Sequence, residues 1–212
     1  MAQRGHRYIV VEGPIGAGKT SLARLLAQHV GAEVLLERPE DNPFLASFYQ
    51  DRRRWALATQ LFFLFQRVNQ LAGLKQLDLF ERPTVADFLF DKDPLFARLN
   101  LLDEELALYQ RIYEHLSPQV PAPDLVIYLQ APVDALMARI RRRAAAFERG
   151  IGEDYLARLV EGYGRFFHDY AAAPLLIVNS ANLNFVDRAG DFALLLQRID
   201  EMRGPREFFN VR

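Results

Sequence analysis

Short apolar runs alternate along this chain with longer stretches in which apolar residues recur every three or four positions. The short runs are Tyr8–Val11, Val34–Leu36, Thr84–Asp87, Leu125–Leu129 and Leu175–Val178, rich in β-branched or aromatic residues. Continuous apolarity over so few residues predicts strands buried on both faces. The longer stretches are Thr20–Val30, Asn42–Tyr49, Arg53–Leu77, Asp103–Leu116, Pro132–Phe147, Glu153–Tyr170 and Ala189–Met202, all with helical spacing. Strands alternating with helices predict right-handed crossovers and an α/β fold, a parallel five-stranded sheet flanked by helices. Ser117–Asp124 carries three prolines and reads as a stiff connector into the fourth strand. No internal repeat and no low-complexity tract interrupts this order, so residues 1–212 read as a single domain.

Composition narrows the chemistry. The 212 residues include no cysteine, which excludes a disulfide framework, a thiol nucleophile and a thiolate zinc site. The formal charge is −1, so bulk electrostatics point to no nucleic-acid or anionic-membrane partner. The densest apolar run, Leu61 to Phe65, is far short of the roughly 18 residues a membrane span needs. MAQRGHR runs directly into YIVVEG without a signal-peptide core, and the expectation is a soluble, cytoplasmic protein. Only three of the 26 basic residues are lysines (Lys19, Lys75, Lys92). Each raises the question of what an arginine could not do there.

One of them has an immediate answer. Gly13-Pro14-Ile15-Gly16-Ala17-Gly18-Lys19-Thr20 fits G-x-x-x-x-G-K-[ST], after an apolar strand and before an amphipathic helix. The glycines let successive N–H groups face an anion, and the helix N-terminus adds a favourable field. Lys19 supplies a compact ammonium for the β- and γ-phosphates, and Thr20 a hydroxyl for Mg²⁺. Binding of a nucleoside triphosphate follows. The N-K-x-D string of a guanine reader is absent, and the short chain favours a small-molecule kinase over a GTPase or a motor ATPase.

Two further features stand out before any family is considered. Gln60 and Arg67 are seven residues apart, two turns of a Leu- and Phe-rich helix, so they share one face. They read either as a surface stripe or as polar groups facing a cavity. Arg139 and Arg143 stand four apart, with Arg141 and Arg142 between them, which is either a solvated basic helix end or a phosphate-binding turn. The four histidines (His6, His29, His115, His168) lack ligand spacing and read as structural or surface residues.

Several spaced blocks together resemble the deoxynucleoside kinases, particularly the bacterial deoxyadenosine/deoxyguanosine kinase branch. They are YIVVEGPIGAGKTS, LERPEDNPFLASFY, W-x4-Q-x6-R from Trp55 to Arg67, DFLFDKDPLFA, and RI-x2-R-x4-E-x2-I-x3-YL from Arg139 to Leu156. They span almost the whole chain in the family's order. The resemblance implies a P-loop nucleotide kinase fold and the following roles. Glu37 is the general base on the nucleoside 5′-hydroxyl, with Glu40 close enough to be confused with it. Gln60 and Arg67 read the base, Tyr49 and Glu148 touch the sugar 3′-hydroxyl, and Arg139 and Arg143 belong to a lid at about 139–152 that closes over the ATP phosphates. Asn179–Phe185 borders the adenine, and the apolar Arg53–Leu77 helix packs against a second copy in a homodimer.

The third strand leaves a register open. The family ends it with Asp/Glu-Arg-Ser, which Glu81-Arg82-Pro83 fits superficially, whereas the β-branched Thr84-Val85 makes Asp87 the strand-end acid near Mg²⁺. In the Asp87 register Phe88 stands where the family has arginine, Lys92 is a candidate for the missing charge, and Asp93 falls at the spacing of the base-reading acid. A second departure is Ala145, in place of a lid arginine that Arg142 or Arg149 would replace. The leading expectation is an ATP- and Mg²⁺-dependent kinase acting on the 5′-hydroxyl of a deoxynucleoside, a purine one by branch. A thymidylate-type monophosphate kinase and a degenerate nucleotide-binding scaffold are the alternatives.

Overall fold

At the centre lies β1 (Tyr8–Glu12), whose five residues are all buried. β3 (Thr84–Ala86) pairs with it on one side and β4 (Leu125–Gln130) on the other. β2 (Glu33–Leu35) flanks β3, while β5 (Leu175–Asn179) and β6 (Arg206–Phe209) extend the sheet beyond β4. Every pairing is parallel, in the order β2-β3-β1-β4-β5-β6. The structure, a computed structural model, describes residues 6–76, 82–117, 120–185 and 187–210, with the side chains of 74–76 outside that description.

Eight helices complete the order among the described residues: α1 (Lys19–Val30), α2 (Leu45–Gln50), α3 (Arg52–Gln76), α4 (Asp93–Asn100), α5 (Asp103–Leu116), α6 (Val133–Arg143), α7 (Glu153–Asp169) and α8 (Ala189–Glu201). The core is aliphatic along β1, β4 and β5, and aromatic where α7 covers β4. There Tyr128 stacks on Phe167 at 4.1 Å between ring centroids, beside Tyr163. Chain direction sets the position of the site. After β1 the chain leaves toward β2, and after β3 it returns past β1 to β4, so the crevice at the carboxyl ends of these strands is a topological switch point.

Several expectations need correction. The sheet has six strands and not five: REFF pairs with β5 from Leu175↔Arg206 to Val178↔Phe209. A four-residue edge strand with Phe208 66% exposed has no continuous apolar run to reveal it. β2 is likewise an edge strand with Val34 exposed, not a strand buried on both faces. α4 is an addition to the predicted helices, and the Pro in its first turn is compatible with helix start. α6 stops at Arg143 and not at Phe147, because Ala144 takes a left-handed conformation (φ 54°) and a short 3₁₀ turn, Ala146–Glu148, follows.

Candidate active site

The loop between β1 and α1 is held open by backbone geometry. Gly16 has φ 86°, and a Cβ there would lie 2.8 Å from the Leu136 carbonyl oxygen, so only glycine fits. Gly18 precedes α1 without any side-chain cap, which leaves the first-turn N–H groups for an anion. Lys19 Nζ donates to the Gly13 and Pro14 carbonyls at 2.8 and 3.2 Å. Burial lowers the pKa of this ammonium, with Lys92 adding to the effect and nearby carboxylates opposing it.

Asp87 continues the β3 ladder, its N–H donating to the Leu35 carbonyl, and its carboxylate faces the loop. Oδ2 accepts from Thr20 Oγ1 at 2.5 Å and Oδ1 from the Glu37 N–H at 2.7 Å. Burial raises the Asp87 pKa, and the bonds from Thr20 and Glu37 hold it back. Asp87 is thus the strand-end acid of β3 in space as well as in register, while Glu81, its rival, lies outside the described residues. Among the described residues no group of three or more His, Asp or Glu side chains forms a metal cluster. A hydroxyl and a carboxylate side by side at a phosphate loop are the hard oxygen donors that suit Mg²⁺, which takes its remaining ligands from phosphate and water.

Glu37 sits in the coil after β2, in contact with two cations, Arg67 and Lys92. Arg67 Nε donates to Oε1 at 2.8 Å, Arg67 Nη2 pairs with the same oxygen, and Lys92 Nζ stands 3.8 Å from it. All three contacts fall on Oε1. Burial alone would raise the Glu37 pKa, but Arg67, Lys92 and Lys19 bring it down to about 2. Glu40, by contrast, is exposed. Arg67 Nη1 pairs with Asp93 Oδ1, leaving Asp93 Oδ2 buried without a partner. Phe88 is fully buried in the core, and Lys92 brings a buried ammonium to Glu12 and Glu37 from the next turn.

These groups line one cavity of about 550 Å³. Lys19, Thr20 and Asp87 border it, as do Gln60, Arg67, Tyr49 and Glu148, together with Phe63 and Phe96. The Gln60–Arg67 face of α3 is therefore a cavity wall and not a surface stripe. Gln60 and Arg67 are each only 4% exposed. Burial pushes the Tyr49 hydroxyl pKa well up, with Tyr155 and Glu148 adding to it. Gly150 packs so closely that a Cβ would lie 2.7 Å from Tyr49 Cβ.

A second cleft of about 810 Å³ opens across the phosphate loop, lined by Gly16, Gly18, Arg139, Arg142, Arg143 and Ser180–Phe185. Arg139 donates to the Ser180 carbonyl at 2.6 Å, tying α6 to the loop after β5. Arg143 lines both cavities and donates to Glu148 Oε2 at 3.0 Å through Nε. Arg142 lines this cleft, whereas Arg149 borders neither cavity. Sequence reasoning missed Glu12 and Tyr163. Glu12 ends β1 fully buried and accepts from Gly13 N–H, Leu89 N–H and Tyr163 Oη, with Lys92 at 3.1 Å. An acid at the end of an otherwise apolar strand was the available signal.

A parallel sheet with this loop between its central strand and α1 defines a P-loop nucleotide-binding fold. Comparison with known proteins refines the class. The deoxynucleoside kinase family model matches residues 9–202. A deoxyguanosine kinase of Bacillus subtilis (strain 168) is 34% identical over 200 residues, covering 92% of this chain and 97% of its own length. A deoxyadenosine kinase of Lactobacillus acidophilus is 31% identical over 207 residues, covering 91% and 94%. The deoxyadenosine kinase structure from M. mycoides with bound dATP shares the fold, with a TM-score of 0.78, 24% identity, and 91% and 98% coverage. The chain belongs to the deoxynucleoside kinase family, enzymes that phosphorylate the 5′-hydroxyl of deoxynucleosides.

Proposed function

We propose that the protein transfers the γ-phosphoryl group of ATP to the 5′-hydroxyl of a purine deoxynucleoside. One observation carries the reading: a single cavity is lined both by Lys19, Thr20 and Asp87 and by Gln60 and Arg67, and Glu37 bonds to Asp87 and to Arg67. Its volume suits one nucleoside, and the relatives named deoxyguanosine and deoxyadenosine kinase favour a purine. Glu37 is the general base. Its cationic contacts gather on Oε1, which leaves Oε2 for the acceptor hydroxyl. Phosphoryl transfer asks the protein mainly for positioning, charge neutralisation and a base on the nucleophile. Gln60, with Arg67 and Asp93, orients the base, while Tyr49 and Glu148 hold the 3′-hydroxyl. Arg139 and Arg143, with Arg142, face the triphosphate, and Ser180–Phe185 borders its adenine.

Thr20 and Asp87 would hold Mg²⁺, which when bound neutralises phosphate charge. The chain acts as one domain with a lid at about 139–152 and works in the cytoplasm as a homodimer. Among the described residues no helix is long and apolar enough to cross a membrane. The test is a panel of the four deoxynucleosides and their monophosphates with Mg-ATP. Deoxyguanosine or deoxyadenosine should give the 5′-monophosphate; turnover of a monophosphate alone would instead establish the thymidylate-type reading.

A further inference from the structure

A carboxylate that ends a core strand is expensive unless every lone pair is used. Glu12 is 0% exposed, and its carboxylate accepts three hydrogen bonds and faces one ammonium. Oε1 accepts from the Gly13 N–H at 2.8 Å and from Tyr163 Oη at 2.9 Å. Oε2 accepts from the Leu89 N–H at 2.7 Å and faces Lys92 Nζ at 3.1 Å. The donors come from four places: the start of the phosphate loop, the exit of β3, the turn before α4, and α7. Glu12 thereby joins the loop that holds the donor to the segment that carries Lys92.

The position of Lys92 depends on this acid. Its ammonium is 2% exposed, so it cannot relax into water, and its two carboxylate neighbours are Glu12 and Glu37. At 3.1 Å from Glu12 it makes a close ion pair; at 3.8 Å from Glu37 the pairing is looser. The ring of Phe96 closes another side, 5.6 Å from Nζ. Without Glu12, Lys92 would close onto Glu37 and compete with the acceptor hydroxyl for that carboxylate.

We propose that Glu12 is a positioning residue for phosphoryl transfer, acting through Lys92, which it holds back from Glu37 at a distance that neutralises charge without capping the base. The inference rests on the deoxynucleoside kinase reading above and adds a residue to it. Glu12→Gln is nearly isosteric, yet its amide nitrogen must face the Gly13 or the Leu89 N–H, so at least one accepted bond is lost together with the charge opposite Lys92.

The experiment is a double-mutant cycle with Lys92→Met, reading kcat and nucleoside KM separately on folded protein. Glu12→Gln should lower kcat by about 10–100-fold, as loss of a supporting partner commonly does, with KM changed less than about threefold. In the Lys92→Met background the same change should cost less than about threefold, because the two act as a unit. Should Glu12→Gln not fold, Tyr163→Phe removes one donor and no charge; its smaller loss must likewise vanish when Lys92 is methionine. Unchanged kcat in the single variant, or losses that multiply, would overturn the inference while leaving the kinase reading intact. A wild-type protein inactive on every deoxynucleoside overturns both.

Discussion

Glu37 illustrates how much one residue's surroundings decide. Its side chain could be a solvated loop acid, and the neighbouring Glu40 is one. Arg67, Lys92 and Lys19 keep Glu37 ionised against its own burial. Glu37→Gln should therefore lower kcat by about 10²–10⁴-fold, the usual cost of losing a general base, with the ATP dissociation constant unchanged by calorimetry. A normal rate would move the base to another acid, Asp87 first. Gly150 offers a test of the sugar pocket. Gly150→Ala must push Tyr49 aside, since its Cβ would lie 2.7 Å from Tyr49 Cβ. A displacement near 1 Å can cost up to about 100-fold, so kcat/KM for the nucleoside should fall while ATP binding holds. Lys19 and Thr20 were legible because their motif is local. Lys92 was only a candidate from sequence, because its neighbours Glu12 and Glu37 lie 80 and 55 positions earlier.

At the scale of elements, the central strands and the edge strand β2 were legible, and the edge strand β6 was not. β1, β4 and β5 are covered on both faces, so their apolar runs are continuous. β6 has one open edge and carries exposed side chains, so its composition resembles that of a loop. The end of α6 is instead a backbone matter. Ala144 at φ 54° is the sole non-glycine with positive φ among the described residues. A left-handed alanine costs about 1 kcal/mol, partly offset in a glycine variant by greater freedom of the unfolded chain. Ala144→Gly should thus stabilise by about 0.5 kcal/mol, or about 1–2 °C in calorimetric Tm. A lowered Tm would mean that contacts in the turn, and not the backbone, hold this conformation.

The whole molecule raises the question of what covers α3. Leu64, Val68 and Leu71 are buried, yet Phe65 is 48% exposed, and Leu108 on the adjoining α5 is 49% exposed. Large apolar side chains left open on neighbouring helices suit a symmetric contact with a second copy. Phe65→Glu should convert the proposed homodimer to a monomer of about half the mass by light scattering; a monomeric wild-type protein, or a dimer that survives the change, would discard this face. The same helix shows why so much of the site was hidden. α3 turns Phe65 outward and Gln60 and Arg67 inward, and only packing against α4, α5 and the β2 exit distinguishes wall from surface.

The sequence by itself determined the alternation of strands and helices and the phosphate loop, because both rest on neighbours within one turn or one strand. It also carried enough spaced identity to resemble one kinase family. Tertiary structure decided which polar groups share a cavity. Arg67 meets Glu37 and Asp93, and Lys92 meets Glu12 and Glu37, only after the sheet has brought the ends of β1, β2 and β3 together. Burial then makes those pairings matter, because a charge removed from water depends on partners that no local pattern can name.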